Sequence, residues 1–251
     1  MRFQLPKPLH GWRHFVGEVG IIVLGVLIAL GAQQLVEDIQ SKVRQRHAEA
    51  AMKLELAEND GPQAYARVII ANCLDQQLKR IADQTGKVPP EQLRKWAADY
   101  TPPFRTWDSE AWRVVSASDI GSYMGPERLV AWSSPYRMMP YLSAANEREA
   151  QLVIDMREAV PPSSPSASDE QSLRRTVAQL RLLNRRFAVT YELLLKRIGT
   201  LDAQVPPSMQ RELVSEGRAM YGSCVTVPDL NATPRAQRTI SNLRSAVLES
   251  R

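Results

Sequence analysis

A chain of 251 residues, 44% hydrophobic and 24% charged, has room for one ordinary core plus an anchor and has the balance of a folded protein. The formal net charge of +5 suits anionic lipid and nucleic acid equally and singles out neither. The three histidines, His10, His14 and His47, all precede Ala48. A Ser-His-Asp triad, a Cys-His pair and a histidine-bearing zinc site are therefore excluded from the rest of the chain.

Residues 19–32, VGIIVLGVLIALGA, carry no polar side chain. Extended to Phe15 and Val36, the run gives about 33 Å of helix, enough to cross the hydrocarbon of a bilayer. Trp12 stands at its edge, where interfacial aromatics collect, and Arg2, Lys7 and Arg13 precede it. A basic leader before an apolar run is also the plan of a secretory signal peptide, and Ala29 and Gly31 are small enough for a cleavage point. No helix breaker follows, which favours an uncleaved anchor. Arg13 abuts one end of the run, and Glu37 and Asp38 the other, so the N-terminus is expected inside. The expected layout is a cytoplasmic tail (1–14), a transmembrane helix (15–36), a stalk helix (37–60) and a periplasmic helical domain (61–251) on the inner membrane. Within the span Glu18, Ile22, Gly25, Ala29 and Ala32 share one face, a stripe on which another span, or a second copy, can pack.

The run GEVGIIVLGVLIALGAQQLVE resembles the N-terminal signature of a family of uncharacterised single-span membrane proteins of Gram-negative bacteria. The matching positions are Gly17, Glu18, Gly25, Ala29, Leu30 and Gln34; Trp107–Trp112 and Met124–Leu129 are similar to the same family more loosely. The resemblance implies a single span and an extracytoplasmic helical domain. It implies no activity.

Beyond the span the sequence reads as all-α. Leu35, Ile39, Val43, Ala50, Leu54 and Ala57 form a stripe along the stalk, interrupted by Arg46. Asn59-Asp60-Gly61-Pro62 predicts a turn or a kink. A helix is expected over 63–84, stopped by Thr85-Gly86, and a short one over 91–100 after Pro89-Pro90. Thr106 or Asp108 is expected to N-cap a helix ending near Ser118. Pro126 opens another, which Pro135 and Pro140 must bend or break before it resumes to about Val160. Residues 161–168, PPSSPSAS, read as a flexible linker. The clearest helix spans 171–198, with Leu173, Val177, Leu180, Phe187, Tyr191, Leu194 and Ile198 on its apolar face and a largely basic remainder. That basic surface either meets an anionic partner or pairs with acids elsewhere in the bundle, the commoner outcome. Two more helices are expected, over 207–221 and 234–249.

The candidate sites follow from this layout. Cys73 and Cys224 are the only cysteines, and an oxidising compartment would pair them. Trp107, Trp112, Arg113 and Trp132 belong to an aromatic and arginine-rich stretch, which fits either a ligand pocket or the filling of a core of short helices. No catalytic, cofactor or metal-ligating residue is expected, nor a nucleic-acid partner. The expected role is non-enzymatic, a scaffold or accessory subunit acting by protein interaction at the lipid bilayer. A ligand-sensing domain and a carboxylate-based hydrolase built on Asp108, Glu110 and Asp119 are the alternatives.

Overall fold

The computed structural model describes residues 12–160 and 166–230. The expected tail to residue 11, most of the Pro-Ser linker and the final helix over 234–249 lie outside the described residues. All regular structure among the described residues is helical: α1 (Trp12–Glu55), a π-helical turn (Leu56–Asp60), α2 (Gly61–Gln84), α3 (Pro90–Asp99), α4 (Glu110–Ala117), α5 (Ile120–Tyr123), α6 (Pro126–Tyr136), α7 (Met139–Glu158), α8 (Ala167–Gly199) and α9 (Pro207–Tyr221).

The largest departure from expectation is at residues 59–62. Instead of turning, the chain stays helical, and Phe15–Gln84 forms one rod of 70 residues. Pro62 has no N–H to donate, and its ring crowds the carbonyl four residues back. The π turn absorbs this defect by shifting the Gly61 N–H to the carbonyl of Leu56, five residues back. Gly61 is required there, since a Cβ would lie 2.6 Å from the Leu56 oxygen and 2.9 Å from Val205 Cγ2. The first part of this rod is the one helix among the described residues long and apolar enough to cross a membrane, and none of its apolar window is buried.

The stalk packs by the face opposite to the apolar stripe. Met52 and Leu56 are fully buried and Ser41 nearly so, against α4, α5 and α6. Leu35, Ile39, Val43 and Leu54, half a turn away, remain 65%, 63%, 43% and 57% exposed.

α2 is the axis of the core. Its Ile69, Leu74, Leu78 and Ile81 are buried in the core it forms with α8 and α9, and the seven predicted apolar positions of α8 are all buried. Arg181 of α8 holds Asp75 of α2 through two hydrogen bonds of 2.9 Å, so part of the basic surface pairs within the bundle. α8 begins at Ala167, inside the expected linker, because Ser166 and Asp169 cap each other's backbone N–H groups. Asp169 brings this start four residues forward of the one expected from the apolar pattern. Thr85 and Gly86, at φ +77°, end α2 as expected. Pro135 lies inside α6 and Pro140 in the first turn of α7, so the two prolines split the helix and the short α5 precedes it.

Cys73 and Cys224 form a disulfide, with Cα atoms 5.1 Å apart and 151 residues between them in sequence. Asn72 Nδ2 donates to the Cys224 carbonyl (3.2 Å) and the Thr226 N–H to that of Ile69 (3.0 Å), so the segment after α9 is stitched to α2 beside the bridge. A loop of this length makes the crosslink worth about 2–5 kcal/mol. The double variant Cys73→Ser/Cys224→Ser is expected to unfold roughly 5–15 °C below the parent in a thermal melt, and reductant is expected to lower the melting point of the parent but not that of the variant.

Candidate functional site

Two buried polar groups lie along the rod, on either side of the segment 100–109, which is not helical. Both are built by that segment folding back onto α1, α2, α7 and α8.

The first surrounds the π turn. Asp60 is fully buried, and its Oδ1 accepts a hydrogen bond from the backbone N–H of Asp108 at 3.0 Å. Asn59 Nδ2 donates to Asp108 Oδ2 at 3.3 Å. Glu55 Oε2 accepts from the Ala111 N–H at 3.0 Å and so caps α4 from another element, because Ser109 makes no side-chain cap of its own. Asp108, expected as that cap, is engaged at the π turn. Tyr136 donates to the Met52 carbonyl at 3.3 Å and stacks on Trp112, with ring centroids 5.6 Å apart. The second oxygens of Glu55 and Asp60 are enclosed and have no protein partner. Burial drives the Asp60 carboxyl up to about 7; the Asp108 N–H opposes the shift, and the charges of Glu55 and Asp108 add to it.

The second group lies deeper. Arg67 of α2, fully buried, is paired with Glu149 of α7. Arg105, carried inward by the 100–109 segment, is 5% exposed. Phe187 and Tyr191 of α8 stack with centroids 5.2 Å apart, and Trp107 stacks on Tyr191 at 5.4 Å. The Arg67 guanidinium lies 5.3 Å from the Phe187 ring and that of Arg105 5.7 Å from the Tyr191 ring. Asn146 ties the group together: its Nδ2 donates to the Arg105 carbonyl (3.0 Å) and its Oδ1 accepts from the Tyr191 hydroxyl (3.2 Å).

The four residues expected to form a ligand pocket do not converge on one site. Trp107 joins the deep group, whereas Trp112 stacks on Tyr136 near the stalk. Trp132 is buried in α6. Arg113 stands on the surface with 71% of its side chain exposed, paired with Glu110. The arginines that meet aromatic rings in the core are Arg67 and Arg105. Arg67 reads in sequence as one more polar position of a surface helix. No sequence signal marks it, because Arg67 lies on the side of α2 opposite to the apolar stripe of Tyr65, Ile69 and Cys73. Of the three acids weighed for hydrolysis, only Asp108 joins a carboxyl group. Glu110 pairs with Arg113 on the surface and the Asp119 carbonyl accepts from the Ser122 hydroxyl. Glu18, Gly25, Ala29 and Ala32 are all exposed on α1, and a Cβ at Gly25 would meet nothing within 4 Å. Among the described residues no cluster of three or more His, Cys, Asp or Glu side chains is placed to hold a metal ion.

The raised carboxyl of Asp60 has a consequence for stability. Folding holds a proton that the unfolded chain, with its carboxyl near 3.8, releases. The contribution is therefore fully present below about 4 and is lost as pH rises toward about 7. Asp60→Asn is expected to flatten this part of the stability profile and to unfold above the parent at pH 8, measured by thermal melts from pH 4 to 8.

No protein-family model matches the sequence, and no curated protein or solved structure shows significant similarity to it.

Proposed function

We propose that this protein is a membrane-anchored, extracytoplasmic helical module with no catalytic role, which acts by interaction and pairs with a second copy of itself through the free face of α1. The observation that carries the reading is the continuity of that face. Glu18, Ile22, Gly25, Ala29 and Ala32 in the apolar part lead, without a break in the helix, into Val36, Ile39, Val43, Ala50 and Leu54 in the stalk, all of them exposed. Their spacing keeps step with the 3.6-residue turn, so the stripe runs straight along the rod. Small residues in the bilayer let two backbones approach, and an acid at the rim gains from a partner. Outside the bilayer, an apolar stripe opposite the packed face gains by leaving water.

Two copies anchored in one membrane emerge parallel and in register, which presents the same face to each other. The Cys73–Cys224 disulfide supports an oxidising compartment, and the acidic exit at Glu37 and Asp38 after Arg13 supports an inner-membrane span with the N-terminus inside. The family resemblance of the first 40 residues points the same way.

Alkaline phosphatase fused to the C-terminus is expected to be active and a green fluorescent fusion dark; the reverse pair would invert the topology. For the interface, single cysteines placed at Ile39 or Val43 are expected to crosslink in membranes to a species of twice the chain mass, whereas cysteines at Ser41 or Ala48 on the packed face are not. A face-specific product of another mass would replace the second copy by a different partner. Products independent of face, or none, would overturn the reading.

A further inference from the structure

The deep polar group does not balance its own charge. It holds two guanidinium groups, Arg67 and Arg105, and one carboxylate, Glu149, which is engaged by Arg67. Burial and the nearby Arg67 lower Arg105 only to about 10, so it is cationic at neutral pH. The other titratable groups facing it do not supply a negative charge. Tyr191 is held up at about 12 and Tyr100 is pushed up further, both chiefly by burial, so both are neutral. An isolated buried cation costs several kcal/mol, and arginine does not escape that cost by losing its proton. The rings of Phe187 and Tyr191 offset part of it.

The hydrogen-bonding inventory is unbalanced in the same direction. Both terminal nitrogens of Arg105, Nε and Nη1 of Arg67, the Tyr100 hydroxyl and Trp107 Nε1 are enclosed and make no well-formed hydrogen bond among the described residues; the Tyr191 hydroxyl, a neutral oxygen, faces Arg105. All can donate, and the Tyr100 hydroxyl can also accept. Among the described residues the enclosed neutral acceptors left without a partner are Asn184 Oδ1, one turn before Phe187 on α8, and Gln77 Oε1 on α2. A site lined by unsatisfied donors and carrying a surplus positive charge selects an acceptor-rich anion, and the Nη1/Nη2 fork of Arg105 suits a carboxylate or phosphate.

A cavity of about 260 Å³ adjoins the group between residues 101–104 and α7; Asn146 and Glu149, which bond the Arg105 carbonyl and the Arg67 guanidinium, are among its lining, whereas the two guanidinium groups themselves are not. Arg157 stands on its rim, held by the carbonyls of Ala97 and Tyr100, and adds a second surplus positive charge there. Phe104, Val153 and Ile154 supply an apolar side that fits the carbon skeleton of a small organic acid.

We propose that the helical domain binds a small oxyanion, a carboxylate or a phosphate, whose oxygens take the unpartnered Nη1 and Nη2 of Arg105 and Nη1 of Arg67, next to the Asn146 and Glu149 lining of this cavity. The inference rests on the buried pair and stands apart from self-association along α1. Asn146 fixes the backbone of Arg105, and the Trp107–Tyr191 stack closes one side. The non-helical segment 100–109 carries both Arg105 and Trp107, so it supplies one guanidinium and one ring of the site.

The test uses the full chain in detergent micelles. Thermal unfolding and tryptophan fluorescence are followed as inorganic phosphate, acetate or succinate is added, with chloride at equal ionic strength as the reference. A saturable rise in melting temperature with one of these oxyanions, together with a fluorescence change at the Trp107 site, is expected, and chloride is expected to give neither. The responding salt distinguishes a phosphate from a carboxylate ligand. Arg105→Met is expected to abolish the response and yet to melt at or above the parent in chloride, because it removes the uncompensated buried charge. If that variant fails to fold, Arg105→Lys keeps the charge without the fork and is expected to weaken apparent affinity at least tenfold. Arg113→Met, on the surface, is expected to respond as the parent does. No shift beyond chloride with any oxyanion, or an undiminished shift in the Arg105 variants, would overturn the proposal.

Discussion

Between Leu56 and Asp60 the helix widens to accept five-residue hydrogen bonds, and this allows a chain carrying Gly61-Pro62 to continue without turning. The apolar N-terminal segment and the central core helix are therefore one rod. Everything that packs on α2 is positioned with respect to the apolar segment as well. A turn at this point would have left the domain on a hinge. The continuous helix instead fixes which side of the stalk is covered by α4, α5 and α6 and which side is left open.

The widened turn has a local cost, which the fold meets by bringing carboxyl groups to it. Glu55 satisfies the start of α4, Asp60 satisfies the backbone of Asp108, and Gly61 makes room for the Leu56 carbonyl and Val205. These interactions join residues about 50 positions apart, so the 100–109 segment is held against the rod by polar bonds as much as by apolar burial. The same segment then carries Arg105 and Trp107 to the aromatic stack on α8. The π turn and the deep cationic group are thus the two ends of one loop's attachment. The two ends differ in charge: one buries the Asp60 carboxyl, which resists ionisation, and the other buries the Arg105 guanidinium, which keeps its proton at neutral pH.

The core obeys simpler rules. α8 lies along α2 with its seven apolar positions inward, the Asp75–Arg181 pair ties the two helices at their margin, and the disulfide fastens the segment after α9 to the other side of α2. None of these needs a special backbone geometry. They follow from helical periodicity and from a crosslink that restricts the unfolded chain.

That difference explains what was legible in the residues alone. Helix class, the apolar segment, the α8 stripe, the ends of α2 at Thr85-Gly86 and of α9 before Gly222, and the pairing of two lone cysteines all depend on local pattern or simple counting, and each is present in the structure. The π turn was not legible, because Asn-Asp-Gly-Pro has the local chemistry of a turn and only packing against Val205 and the 100–109 segment makes the helical path cheaper. The cap of α4 was not legible either, since its acceptor comes from Glu55, 56 residues away. The arginine and tryptophan residues adjacent in sequence at 107–113 are separated by the fold, while Arg67 and Arg105 are brought together by it. Periodicity states which face of a helix is apolar. It does not state which of two opposite faces the rest of the chain will cover, or which charges will be buried with it, because those outcomes depend on contacts between residues distant in sequence.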